Sequence, residues 1–127
     1  MEHVEHRKFV QTVAERADLS REAAADLVRA TVETLGDRLS AGEARHLASC
    51  LPEFLRGSFP IRDRSRPFGL HDFVMRISRR TGLTPKEATD GVRAVLTTLR
   101  QTVPGDVFDQ AMSQLPAEYQ EMAAPAA

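Results

Sequence analysis

The chain has 127 residues and a mass of 14.1 kDa, long enough for one domain that buries a core without disulfide or metal staples. Hydrophobic residues make up 42% and charged residues 28%, ordinary globular values that exclude a disordered tail or a fibre. Seventeen basic residues stand against 18 acidic ones, a net charge of -1, which argues against a generic binder of nucleic acid or anionic membrane.

The first expected element is an amphipathic helix in which Phe9, Val10, Val13 and Ala17 recur at helical spacing. Ser20 before Arg-Glu-Ala is a start signal for a second, long helix, whose stripe of Ala24, Val28, Val32, Leu35 and Leu39 is the expected core. Ser40-Ala-Gly-Glu43 reads as a capping box opening a third helix, with Ala44, Leu47, Ala48 and Leu51 on one face. Pro52 has no N–H to donate, so it ends that helix and starts a short turn from Glu53 to Arg56. Gly57 to Gly69 is rich in Pro and Gly and has no period, so it reads as a linker. Its Phe59, Ile61 and Phe68 are too apolar for a solvated tether and are expected to lie against the bundle.

Helical spacing then resumes with Phe73, Val74, Ile77 and Thr81. Thr84, with Pro85 at the first helical position and Glu87 three residues on, is the better-marked capping box. It opens a helix with the stripe Ala88, Val92, Leu96, Leu99 and Val103. Pro104-Gly105 turns the chain into a helix carrying Phe108, Ala111, Met112 and Leu115, Pro116 breaks it, and a short turn from Glu118 to Met122 follows. The tail, residues 123–127, is expected to be disordered.

Residues 73–123 align with 9–59 at an offset of 64 without a gap, and 14 of 51 positions are identical. Among them are Phe9/Phe73, Arg16/Arg80, Ala24/Ala88, Asp26/Asp90, Arg29/Arg93, Thr34/Thr98 and Pro52/Pro116, with the apolar matches at helical spacing. We read a duplicated supersecondary unit. The expectation is an all-α fold: a single bundle of about six main helices built from two tandem three-helix repeats, residues 4–58 and 70–122, joined by linker 59–69 within one domain spanning 1–122.

The residues carried in both copies are Phe9-Val10 and Phe73-Val74, Leu19-Ser20 and Leu83-Thr84, Arg29-Ala30 and Arg93-Ala94, Thr34-Leu35 and Thr98-Leu99, and Leu51-Pro52 and Leu115-Pro116. On these, the chain resembles the bacterial and archaeal domain-of-unknown-function family 2267 over roughly residues 4 to 122. It departs from that pattern in its Arg-rich linker and at Thr31-Val32, where the first copy lacks the Val-Leu of the second. The resemblance implies a helical fold and brings no activity, cofactor or catalytic residue.

Tests for chemistry yield little. Cys50 lies one helical turn after His46, but at a helix C-terminus, where the macrodipole disfavours a thiolate; an inert cysteine is the favoured reading. His3 and His6 supply two nitrogens where zinc takes three or four protein ligands, so no metal site is expected. Asp26 with Arg29, and Asp90 with Arg93, read as surface ion pairs; a reciprocal pairing across the two units is the sharper alternative. No phosphate-binding Gly loop, Gly-x-Ser-x-Gly or His-Glu-x-x-His motif is present, so no catalytic residue, cofactor or enzymatic activity is expected.

The one sharp asymmetry lies between residues 56 and 80, where Arg56, Arg62, Arg64, Arg66, Arg76, Arg79 and Arg80 face only Asp63 and Asp72. Arg62, Arg64, Arg66, Arg79 and Arg80 are therefore the candidate partner-binding residues. A protein partner is favoured over nucleic acid, since no aromatic stacking platform is interleaved with the arginines. The lone cysteine, the absence of an apolar run near the roughly 18 residues of a membrane span, and the polar start Glu-His-Val-Glu-His point to the cytosol. Fifteen Arg against two Lys, with abundant Ala, suggests a GC-rich bacterial genome.

Overall fold

A computed structural model describes residues 2–56 and 68–123, with side chains from residue 6 onward. Among the described residues the chain is all-helical, without strands. The helices are α1 (Glu2–Ala17), α2 (Arg21–Arg38), α3 (Ala41–Cys50), α4 (Glu53–Arg56), α5 (Leu70–Thr81), α6 (Pro85–Thr102), α7 (Gly105–Met112) and α8 (Ala117–Ala123).

Local chemistry sets the boundaries. α1 and α5 both end on a left-handed residue, Asp18 (φ 56°) and Gly82 (φ 78°), which turns the chain back against the last carbonyls; the Leu19 amide donates to Ala14 O at 2.9 Å and Gly82 N to Ser78 O at 2.9 Å. Ser20 Oγ accepts from Ala23 N at 3.1 Å to start α2. At α6 the capping box is complete: Thr84 Oγ1 accepts from Glu87 N at 3.1 Å, and Glu87 Oε1 accepts from Thr84 N at 2.9 Å, behind Pro85. These bonds to Thr84, first the backbone and then the side chain, hold the Glu87 carboxyl below its ordinary pKa.

Two local expectations are corrected. Ser40 Oγ does accept from Glu43 N (3.3 Å), but the reciprocal half of that box is missing, because Gln114 Oε1 takes the Ser40 amide (3.2 Å) and hydroxyl (3.1 Å). Glu43 is buried instead, its Oε1 3.7 Å from His46 Nδ1. α7 ends at Met112, three residues before Leu115, and the Ser113 hydroxyl donates back to Gln110 O at 2.6 Å.

The two long helices α2 and α6 pack on each other, and α1 and α5 each pack against both of them. α3 meets α7, α8 lies on α6, and α4 touches α1 and α3. Every residue of the two expected stripes is buried. Leu27, outside the stripe, is fully buried as well, because it fills the notch left by Gly91: a Cβ there would stand 2.5 Å from Leu27 Cδ2.

Phe68 marks where the described chain resumes. Its carbonyl accepts from the Tyr119 hydroxyl (2.9 Å) and from Arg38 Nε (2.9 Å), and the Arg76 guanidinium lies 4.2 Å from its ring centroid. The expected burial of this residue is met; Phe59 and Ile61 lie outside the described residues, as does the expected disordered tail except for Ala123, which is instead the buried last residue of α8. Burial of the Tyr119 ring pushes its hydroxyl pKa up to about 12. Glu118 Oε1 accepts from Leu70 N at 2.9 Å, giving the first turn of α5 an acceptor that Gly69 has no side chain to provide.

Candidate functional site

A cleft of about 370 Å³ opens between α1, the corner leading into α4, and α6. Lys8 and Thr12, one turn apart, form one wall; Thr98, Gln101 and Thr102 form the other; Phe9, Pro52 and Phe54 supply the apolar surface between them. Helical spacing aligns each wall, and the Leu51-Pro52 break brings Phe54 to the cleft between them. Phe54 stays half-buried, edge-on to Phe9 at 5.8 Å and stacked on His6 at 4.7 Å.

The polar groups of the walls are oriented. The Thr12, Thr98 and Thr102 hydroxyls donate to the carbonyls one turn back on their own helices (Lys8, 2.8 Å; Ala94, 2.6 Å; Thr98, 2.8 Å), which leaves their oxygens free to act as acceptors. Arg16, one turn beyond Thr12 on α1, uses that capacity. Its Nη1 donates to Thr98 Oγ1 at 3.0 Å and Thr97 Oγ1 at 3.4 Å, and its Nη2 to Gln101 Oε1 at 2.8 Å. Among the described residues no Asp or Glu lines the cleft. Two smaller clefts, about 260 Å³ beside α7 and α8 and about 240 Å³ between α1 and α2, include Asp109 and Glu22 respectively.

The candidate arginines fall elsewhere. Arg62, Arg64 and Arg66 lie outside the described residues. Arg79 is exposed, with Nε 3.3 Å from Met75 O on its own helix. Arg80 crosses to α2, donating to Thr34 Oγ1 (2.9 Å) and Asp37 Oδ2 (3.3 Å) and lying 3.6 Å from Glu33 Oε2. None of the described candidates lines the α1–α4–α6 cleft.

The other constellations dissolve. His46 Nδ1 lies 3.7 Å from Glu43, and Cys50 has Ser49 Oγ at 3.8 Å, so the histidine and cysteine do not form a pair. The His3 side chain lies outside the described residues, and His6 stacks on Phe54. Among the described residues there is no group of three or more His, Cys, Asp or Glu side chains that would hold a metal, and no helix long and apolar enough to cross a membrane. Asp26, Arg29, Asp90 and Arg93 are all exposed and make no ion pair with one another, so neither pairing expected of them forms.

The residues that matter here and were passed over as chemistry are Arg16, Thr98, Gln101 and Phe54. A signal was available for two of them: Arg16/Arg80 and Thr34/Thr98 are polar identities across the 64-residue offset. They are the two pairs that bond across the molecule.

A family model described as "Uncharacterized conserved protein (DUF2267)" matches residues 6–122, nearly the whole chain. No curated protein matches.

Proposed function

We propose that this chain, which belongs to the DUF2267 family, is a non-enzymatic interaction module whose α1–α4–α6 groove holds a segment of a protein partner. The observation that carries the reading is the groove itself: Phe9, Pro52 and Phe54 form an apolar floor open to solvent between two walls of aligned polar side chains. An apolar anchor with oriented polar groups around it is the usual anatomy of a small recognition site.

The proposal includes the architecture. The chain is one domain, residues 1–122, made by duplication of a unit of three main helices and a short fourth. In its support, α2 and α6 have the same length at the 64-residue offset, and the Arg16 and Arg80 contacts are reciprocal at that offset. The groove then lies between the units, with α1 and α4 from one and α6 from the other. Its place of action is the cytosol of a bacterium.

The test is a pull-down of tagged protein from nuclease-treated lysate of the native host, comparing wild type with Thr102→Trp, which fills the groove from an exposed position, and with Arg79→Ala as a control. We expect a protein retained by wild type and Arg79→Ala and lost on Thr102→Trp. Retention by Thr102→Trp would overturn the reading. Capture abolished by nuclease and by replacing Arg62, Arg64 and Arg66 with Ala would favour nucleic acid instead.

A further inference from the structure

Arg16 and Arg80 stand at matching positions, and their surroundings differ in one respect. Arg80 meets two carboxylates, Asp37 at 3.3 Å and Glu33 at 3.6 Å, besides the Thr34 hydroxyl. Arg16 meets Thr98, Thr97 and Gln101, which stand at the same offsets as Thr34, Glu33 and Asp37. One guanidinium thus has its charge compensated within the chain; the other is held in place by three neutral oxygens and has no ion pair among the described residues. A guanidinium fixed in one geometry without a counter-charge is pre-organised for a carboxylate, because the side-chain entropy that an exposed ion pair loses on forming is already lost.

The position of that uncompensated charge relates it to the groove. Thr98 and Gln101, which hold Arg16, line the groove, and Lys8, two turns earlier on α1, lines it too. Lys8 is exposed and makes no ion pair among the described residues. Glu15, next to Arg16 in sequence, accepts from Gln11 at 2.9 Å. Among the described residues the groove therefore combines an apolar floor with one cationic lining residue, Lys8, an Arg16 held by two of its wall residues, and no lining carboxylate.

We propose that the groove receives an acidic amphipathic segment of a partner protein. One carboxylate meets Arg16 as Asp37 meets Arg80, an adjacent apolar side chain rests on Phe9 and Phe54, and a further carboxylate lies toward Lys8. This rests on the groove reading above and adds the chemistry of the occupant.

The test is fluorescence anisotropy with two labelled synthetic peptides. One is an amphipathic helix with Leu and Phe on one face flanked by Glu and Asp; the other is its Gln and Asn isostere. The acidic peptide is expected to bind about tenfold or more tightly than the isostere, the range expected for a charge-assisted hydrogen bond. Arg16→Gln should remove most of that advantage, leaving the part that Lys8 supplies, and leave the isostere unchanged. Gln101→Asp, which gives Arg16 the carboxylate that Arg80 already has, should also weaken the acidic peptide about tenfold or more while raising the melting temperature, which separates occlusion of the site from damage to the fold.

Equal binding of the two peptides, indifference of the acidic peptide to both variants, or no binding by either would overturn the inference. Equal binding abolished by Thr102→Trp would leave the groove reading standing without the acidic specificity. Binding that survives Thr102→Trp would remove the groove reading as well.

Discussion

At the scale of single residues, the clearest strain is at Asp18, whose φ of 56° belongs to a region that residues with a Cβ enter at a cost. Gly82, 64 positions on, makes the same turn at φ 78° without that cost. Asp18→Gly is therefore expected to stabilise the protein by roughly 0.5–1 kcal/mol, and Gly82→Ala to destabilise it by about 1 kcal/mol, both measured by urea unfolding. A loss of stability in Asp18→Gly would mean that its carboxylate contributes more than its backbone costs. Residue roles were legible in the sequence where they are local. The Ser20 and Thr84 caps bond three residues ahead, and spacing alone identifies them. Ser40 misled because its competitor, Gln114, is 74 residues away. Arg16 was visible only as a repeated letter, since its partners lie 81 to 85 residues on and no periodicity links them.

At the scale of helices, the stripes of α2 and α6 were readable because burial at helical spacing is what an amphipathic helix records. They were too narrow, because each of these helices is packed by α1, by α5 and by the other. Leu27, Thr31 and Thr34 are buried outside the α2 stripe for that reason. The contact between the two helices turns on Gly91. Alanine is the better helix former by about 1 kcal/mol, but a methyl there lands 2.5–2.8 Å from the fully buried Leu27 branch. Overpacking should win, and Gly91→Ala is expected to lose about 1–3 kcal/mol in chemical denaturation. Gly42→Ala, in the first turn of α3 with nothing within 4 Å of the added carbon, is the control and should be neutral or stabilising by up to about 1 kcal/mol. Equal effects of the two substitutions would show that Leu27 swings aside freely.

At the scale of the whole molecule, the outer helices are shared. α1 lies against α6 as well as α2, and α5 against α2 as well as α6, with Arg16 and Arg80 crossing in the same sense. A fragment comprising residues 1–60 loses α5 and α6 together and exposes Leu27, Val28 and Leu35, so it should show reduced helical circular dichroism and no cooperative thermal transition. A sharp melt at full helicity would make each half a domain in its own right. The existence of helices and their chain order were legible because short-range chemistry writes them. The groove was not, because its two walls come from segments about 90 residues apart and sequence pattern carries no record of which helices become neighbours. The Leu27–Gly91 notch also carries a genetic consequence under the duplication proposed above. In a pair of identical chains, one codon writes both sides of any position that meets itself across a two-fold axis, so a large residue must face a large one and a small residue a small one. Duplication frees the two codons, and a knob can then be matched to a socket. Leu27 against Gly91 is a fit available only once the two codons are independent, and it would hinder a return to a pair of identical chains.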